Sequence, residues 1–164
     1  MENAIVVALG SNLAGAYAST RDLLDAAIAR FPQIGLRVLA TSRWWRAPAW
    51  PDPTDPEYLN GVALVETGLT ADELIQALLR LEKAFGRVRS TANAPRTLDL
   101  DLIAHGRQVS ATPTLVLPHP RAHLRRFVMG PLAEIAPDWR HPTLGLTAAE
   151  LAIAAEQGRE AAPA

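Results

Sequence analysis

Cysteine is absent from all 164 residues of the chain. Disulfide bonds, thiolate metal ligands and cysteine nucleophiles are therefore excluded, and the composition suits a reducing compartment. No basic stretch precedes the apolar run near the N-terminus, as it would in a signal peptide, and no apolar run approaches the roughly 20 residues of a membrane span. We expect a cytoplasmic protein that binds no membrane.

An excess of either charge is also missing, since 16 basic residues oppose 17 acidic ones and the net charge is -1. The surface as a whole has no electrostatic reason to attract nucleic acid, so any basic site must be local. Hydrophobic residues make up 49% and charged residues 20%, as in ordinary folded proteins. We expect a single domain over residues 1–164, a monomer, and small-molecule ligands.

Apolar periodicity predicts alternating strands and helices in the first two thirds of the chain. Short β-rich runs are bounded by turn residues, and two longer segments repeat apolar residues at helical spacing. The second helix has the clearest start, because Thr70 and Glu73 form a capping-box pattern. The predicted order is strand 4–9, helix 20–31, strand 36–46, strand 58–67, helix 70–85 and strand 97–104.

This order, strand-helix-strand taken twice, predicts an α+β fold. Two such units packed as one antiparallel sheet, with the helices on one face, form a ferredoxin-like sandwich. The rest of the chain is expected to add a C-terminal helical extension. That extension would contain a hairpin around 105–106, a helix at 127–135, a helix opening at 147–150 and a frayed end at 160–164.

Two aspartates stand in the last predicted strand of the core, within the run LDLDL at 98–102. Side chains alternate along a strand, so the leucines face the core while Asp99 and Asp101 share the other face. Their Cα atoms would lie about 6.5 to 7 Å apart, close enough to share one cation or to bind two. Oxygen ligands of this kind favour Mg²⁺ over zinc. The alternative is a solvated acidic face on an edge strand.

Basic residues flank this acidic pair on both sides along the sequence. Guanidinium groups suit phosphate oxygens, and cations gathered beside two carboxylates in a nearly neutral chain are typical of a metal–polyphosphate site. Simple ion pairs are the alternative. The cations are Arg87, Arg89 and Arg96 upstream, and His119, Arg121, His123, Arg125 and Arg126 downstream.

The same segments resemble a known enzyme family. GRVR at 86–89, PRTLDLD at 95–101 and LPH at 117–119 resemble 6-hydroxymethyl-7,8-dihydropterin pyrophosphokinase, a family of folate biosynthesis. GSN at 10–12, PEYLN at 56–60, and Phe127 through EIAP at 134–137 extend the likeness over nearly the whole chain. The family has a ferredoxin-like architecture, which agrees with the fold predicted from periodicity.

The resemblance implies a reaction and roles for the charged residues. The family transfers the pyrophosphoryl group of ATP to the hydroxymethyl oxygen of the pterin, releases AMP and uses two Mg²⁺ ions. Asp99 and Asp101 would bind the metals. For Glu82, a solvated helix carboxylate is the alternative to a role in the nucleotide pocket. The implied catalytic residues are Arg87, Arg96, Asp99 and Asp101, and the implied ATP-binding residues are Glu82, Arg87, Arg96, His119 and Arg125.

For the pterin, the resemblance implies a slot with two stacking faces and a polar edge. Tyr58 and Phe127 match the stacking pair of the family, and Asn60 matches the amide at the ring edge. Ala47 and Pro48 complete the implied substrate-binding set. A flat heterocycle needs this combination, because an unpaired ring amide would cost about 1 to 3 kcal/mol.

Some positions depart from the family. Asn93 stands where its members usually have tryptophan, Pro120 replaces a common tyrosine, and Ala47 replaces a common threonine. Two alternatives stay open: a paralogue acting on a different small heterocyclic alcohol, and a non-catalytic ferredoxin-like binding module. A module that reads RNA would need exposed aromatic residues on its central strands, whereas the last core strand here carries aspartates.

Overall fold

An antiparallel sheet organises the chain in the computed structural model, which describes residues 3–49, 51–87 and 96–164. Short 3-10 turns occur at Phe31–Ile34 and Ala122–Leu124. In chain order the elements are β1 (Ile5–Ser11), α1 (Thr20–Arg30), β2 (Arg37–Thr41), β3 (Trp45–Ala47), β4 (Tyr58–Glu66), α2 (Ala71–Ala84), β5 (Asp99–His105), β6 (Ser110–Ala111), β7 (Val116–Leu117), α3 (Arg126–Ile135), α4 (Ala148–Ala154) and β8 (Ala162–Pro163).

The strand order confirms the predicted fold class. β5 lies at one edge of the sheet, followed by β1, β4, β3 and β8, while β2 pairs with the second half of β4. All these pairings are antiparallel. With α1 and α2 as connections, the order β5-β1-β4-β2 is that of a ferredoxin-like sandwich. Among the described residues, no helix has the length and apolar content needed to cross a lipid bilayer.

The predicted strand 36–46 is divided into β2 and β3. Thr41 pairs with Ala63 and Trp45 pairs with Asn60. The segment from β2 to β3 therefore has one residue more than the part of β4 that it faces. Ser42 fills the gap, since its hydroxyl accepts the backbone N–H of Val62 at 3.0 Å. An extra residue in one strand interrupts the ladder in this way.

Helices cover both faces of the sheet: the two helices of the ferredoxin-like core share one face, as predicted, and those of the C-terminal extension lie on the other. α1 and α2 pack over Val7 and Leu9, whereas α3 and α4 pack over Val6 and Ala8. Val6 and Val7 are consecutive and both 0% exposed, so a strand of this kind needs apolar cover on both sides. The C-terminal helical extension therefore supplies the second half of the core.

Two expectations about the later part of the chain are wrong. The turn at Gly106 follows β5, but the hairpin lies further on, where β6 pairs with β7. The end of the chain is not frayed, because β8 pairs with β3 through Ala162 and Pro163. Proline is tolerated there because β8 is an edge strand that needs few backbone donors.

Candidate active site

β5 presents the two aspartates as the alternation of the sequence predicts. Leu98, Leu100 and Leu102 are buried in the core beneath α1 and α2. Asp99 and Asp101 therefore point to the opposite face of the sheet, and both are only partly exposed. Because β5 is an edge strand, this face lies beside a cleft.

The cleft has a volume of about 400 Å³ and runs along β5. It brings together every residue for which the resemblance implied a catalytic, ATP-binding or metal-binding role. Apolar side chains from α2 and the neighbouring strands complete the walls. The charged and polar residues that line it are Glu82, Arg87, Arg96, Asp99, Asp101, His119 and Arg125, and the apolar ones include Ile75, Leu78 and Val116.

Asp99 is held between two arginines. Arg87 donates to Asp99 Oδ1 at 2.8 Å, and Arg96 donates to Asp99 Oδ2 at 3.1 Å. Burial alone would lower the pKa of Arg87, but Asp99 and Glu82 together raise it above its usual value. Asp99 thus holds both guanidinium groups in the cleft.

Glu82 is not a solvated helix carboxylate, because the residue is only 3% exposed. It lies near the end of α2, whose predicted capping box at Thr70 is present. Its Oε2 accepts the backbone N–H of Leu100 at 2.7 Å and a second hydrogen bond from Arg87 at 2.7 Å. Glu82 therefore joins α2 to the outer edge of β5 and orients Arg87.

Asp101 differs from Asp99 because its carboxylate makes no hydrogen bond or ion pair within the described ranges. Burial, and after it the negative charges of Asp99 and Glu82, raise the pKa of Asp101 to about 7, against the opposing charges of Arg125 and Arg87. A buried carboxylate without a partner is costly unless a cation joins it.

This donor set fits Mg²⁺. Residues 3–49, 51–87 and 96–164 contain no cluster of three or more acidic, histidine or cysteine side chains that could cage a metal by themselves. Mg²⁺ commonly uses one or two carboxylates and takes its other ligands from water and substrate phosphates. Asp99 and Asp101 supply that number of carboxylates.

His119 and Arg125 line the cleft on the side of α3. The backbone N–H of His119 donates to Ile103 O at 2.9 Å, which attaches it to the outer edge of β5. Burial and the nearby Arg125 lower the pKa of His119 to about 4, so the ring is neutral near pH 7. Its Nδ1 accepts the N–H of Arg121 at 3.1 Å, which leaves Nε2 to carry the proton toward a ligand.

None of the five residues predicted for the pterin lines this cleft, although three of them share its sheet face. Asn60 lies across β1 from Asp99, because both pair with Gly10. Two strand spacings put their backbones about 10 Å apart. Gly10 keeps the space between them clear, since a Cβ there would lie 2.9 Å from Asn60 Oδ1.

The other residues predicted to bind the pterin lie around Asn60. Tyr58 is two residues before it on the same face and pairs with Ala47, and burial raises the pKa of its hydroxyl. Phe127, at the start of α3, packs against Trp45 and Ala47. Pro48 follows β3 and is exposed.

Asn12 is a site residue that sequence reasoning missed. It is 3% exposed, and its side chain accepts the backbone N–H of Arg96 at 2.8 Å and donates to Pro56 O at 3.1 Å. It thereby ties the backbone of a cleft arginine to the loop between β3 and β4. The signal was an amide directly after a buried strand, at the end of the GSN segment.

Several predicted basic residues lie away from the cleft or outside the described residues. His123 packs edge-on against His141, with ring centroids 5.4 Å apart. Arg126 donates to the carbonyl groups of Ala161 and Ala152. Arg89 and Asn93 fall outside the residues that the structure describes.

Comparisons with known proteins identify the family. Residues 6–137 match the family model described as 7,8-dihydro-6-hydroxymethylpterin-pyrophosphokinase (HPPK). A 2-amino-4-hydroxy-6-hydroxymethyldihydropteridine pyrophosphokinase of Synechocystis sp. is 42% identical over 147 residues, which cover 89% of this chain and 73% of that protein. The enzyme of the same name from Pseudomonas aeruginosa is 40% identical over 138 residues, covering 84% and 83%.

A solved structure supports the fold. The HPPK-DHPS protein of Plasmodium falciparum in complex with pterin and p-hydroxybenzoate superposes with a TM-score of 0.70 over 92% of this chain, at 10% identity. This chain spans 43% of the length of that bifunctional protein. The extent of the family match, together with relatives at about 40% identity over most of its length, means that the chain belongs to the 7,8-dihydro-6-hydroxymethylpterin-pyrophosphokinase family.

Proposed function

We propose that the cleft beside β5 is where this chain carries out the reaction of its family, pyrophosphoryl transfer from ATP to 6-hydroxymethyl-7,8-dihydropterin in folate biosynthesis. The family match and the names of the curated relatives support the reaction. One observation carries the location. The aspartate pair shares a single cleft of about 400 Å³ with Arg87, Arg96 and Arg125.

The chemistry is a phosphoryl displacement that needs positioning and charge stabilisation. The hydroxymethyl oxygen of the pterin forms a bond to the β-phosphorus of ATP, and the bond from that phosphorus to the oxygen shared with the α-phosphate breaks. AMP leaves, and the hydroxyl proton passes to solvent. Arg87 and Arg96, held by Asp99, donate to the oxygens on which charge develops, which lowers the barrier without reorganisation.

Asp99 and Asp101 are the proposed ligands of two Mg²⁺ ions. When bound, the ions neutralise the triphosphate and align donor and acceptor. The partly buried carboxylate of Asp101, which has no partner among the described residues, supports this assignment, because metal binding relieves the cost of its desolvation. The arginine pairs of Asp99 support a second task for that residue, which is to keep two cations beside the phosphates.

The nucleotide is held by His119 and Arg125 in this proposal, and Glu82 supports its pocket. A neutral His119 offers its Nε2 hydrogen to a phosphate oxygen, and Arg125 offers its guanidinium N–H groups. Glu82 acts through Arg87 and through the edge of β5, so we assign it a positioning role.

The pterin lies on the same face of the sheet, next to Gly10. Tyr58 and Phe127 stack on the ring, and Asn60 recognises its polar edge with an amide that can both donate and accept. Ala47 and Pro48 border the ring where β3 ends. We propose a monomer with a single domain over 1–164 as the working unit.

An AMP-release assay tests the proposal. ATP, Mg²⁺ and 6-hydroxymethyl-7,8-dihydropterin are supplied together, and the pterin or the Mg²⁺ is omitted in controls. We expect AMP to appear only in the complete mixture. A folded protein that binds ATP and Mg²⁺ but releases no AMP with this pterin would refute the acceptor and favour a paralogue with another heterocyclic alcohol.

A further inference from the structure

The last eight residues, 157–164, form a strap along the side of the pterin candidates. At its end, Ala162 and Pro163 pair with β3, and the N–H of Ala164 donates to Trp44 O at 2.9 Å. At its start, the N–H of Gln157 donates to Leu124 O at 3.0 Å. Backbone hydrogen bonds therefore hold the strap at both ends.

The strap also contacts residues that the proposed function uses. Gln157 O accepts the backbone N–H of Arg126 at 2.8 Å, directly before Phe127. Ala161 is 2% exposed and packs in one cluster with Ala47 and Phe127. The strap thus packs against two of the residues proposed to bind the pterin, Ala47 and Phe127.

Gly158 lies against the ring of Phe127. A Cβ on Gly158 would lie 2.6 Å from Phe127 Cδ1 and 3.2 Å from Cε1, distances at which the ring has to move. The φ of Gly158 is +70°, a region that glycine adopts without strain. The ring of Phe127 therefore packs directly against the backbone of Gly158. Arg125 lies over the same ring, with its guanidinium carbon 5.7 Å from the ring centroid.

We infer that the strap is a positioning element for pterin recognition, in which Gly158 fixes where the Phe127 ring lies and so sets the width of the slot for a flat heterocycle. The inference rests on the proposed stacking role of Phe127. Stacking energy depends on the separation and offset of the rings, so a displaced Phe127 loses it even when the side chain is present. Gly158 itself does not touch the substrate.

Gly158→Ala tests the inference, with Gly145→Ala as its matched control. Gly145 has a φ of +71°, and a methyl group added there would have no atom within 4 Å, so both alanines meet the same backbone strain but only one meets Phe127. Binding of the oxidised analogue 6-hydroxymethylpterin is measured by calorimetry with Mg²⁺ and saturating α,β-methylene-ATP, and binding of the nucleotide analogue is measured separately.

We expect Gly158→Ala to weaken pterin binding about tenfold, the equivalent of one aromatic stacking pair. Nucleotide binding should change less than twofold, roughly the scatter expected for a site that keeps its contacts. Gly145→Ala should lower the melting temperature through the same backbone strain and leave pterin binding unchanged. Equal pterin affinities in the two variants would overturn the inference.

Two further variants separate this inference from the proposed function. If Phe127→Leu binds the pterin as the unchanged chain does, the stacking role falls and the strap inference falls with it. If Phe127→Leu weakens binding, Gly158→Ala should add little in that background, because the clashing ring is gone. If the losses of pterin affinity from Phe127→Leu and Gly158→Ala were fully additive, the strap inference would be overturned while the proposed function would stand. Gly158→Asn and Gly145→Asn repeat the comparison with a residue that tolerates positive φ, should the alanine pair fold poorly.

Discussion

Replacing Asp101 by asparagine should stabilise the metal-free protein while abolishing Mg²⁺-dependent turnover. The side chain of Asp101 is only partly exposed and has no partner among the described residues, and its pKa is about 7 in the folded chain against 3.8 for an ordinary aspartate. A difference of about 3 corresponds to a ceiling of about 4 kcal/mol. Partial contact with solvent reduces this, so we expect a gain of about 2 kcal/mol at pH 8.

The sign of the pH dependence follows from the raised pKa. Below about pH 4 the carboxyl is protonated in both folded and unfolded chains and costs nothing. As the pH rises through about 7, the folded chain loses its proton and the stability that the proton conferred. The advantage of asparagine over Asp101 should therefore be near zero at pH 4 and largest at pH 8.

Urea unfolding in EDTA at pH 4 and pH 8 measures this effect, and Asp99→Asn is the matched control. Asp99 accepts hydrogen bonds from Arg87 and Arg96. Its replacement by asparagine should therefore lower the free energy of unfolding by about 1 to 3 kcal/mol instead of raising it. Added Mg²⁺ should stabilise the unchanged chain but not Asp101→Asn. A less stable Asp101→Asn at pH 8, or a gain that is equal at both pH values, would refute the reasoning.

Three more substitutions probe the cleft. Arg96→Ala should lower kcat by about 100-fold and weaken ATP binding less, and an unchanged kcat would remove Arg96 from the catalytic set. Asn12→Ala should destabilise the chain by about 2 kcal/mol and lower kcat more than it changes either KM, since it releases the backbone of Arg96. If Asn12→Ala changed kcat and the KM values equally, Asn12 would have only a structural role. Glu82→Gln keeps an acceptor for the N–H of Leu100 but loses the charge beside Arg87. Urea unfolding should therefore show a loss of about 1 to 3 kcal/mol in stability, and kinetic assays should show a lower kcat. Unchanged stability would contradict the buried ion pair.

The parts of the site that sequence reasoning predicted depend on local periodicity. The alternation at 98–102 determined that Asp99 and Asp101 share a face, and the capping box at Thr70 determined where α2 begins. Both follow from the chain geometry of a single element, so no tertiary information was needed. The roles of individual residues, by contrast, came from the family resemblance.

The differences between the two aspartates could not be predicted in this way. They depend on which cations the fold brings near each one: Arg87 and Arg96 reach Asp99, and neither is hydrogen-bonded to Asp101 in the described structure. The C-terminal strap was missed for a similar reason. Ala162 and Pro163 have low strand propensity, and only the available edge of β3 makes them a strand.

The outer edge of β5 has a consequence for solubility. An edge strand exposes backbone donors and acceptors that can recruit a strand from another molecule, and β5 is rich in leucine. Here the carboxylate of Glu82 occupies the N–H of Leu100, and the N–H of His119 occupies the carbonyl of Ile103. Residues that line the cleft thus also protect this strand edge from pairing with another molecule. Loss of the Glu82 carboxylate should free the N–H of Leu100 and make the protein more prone to aggregate.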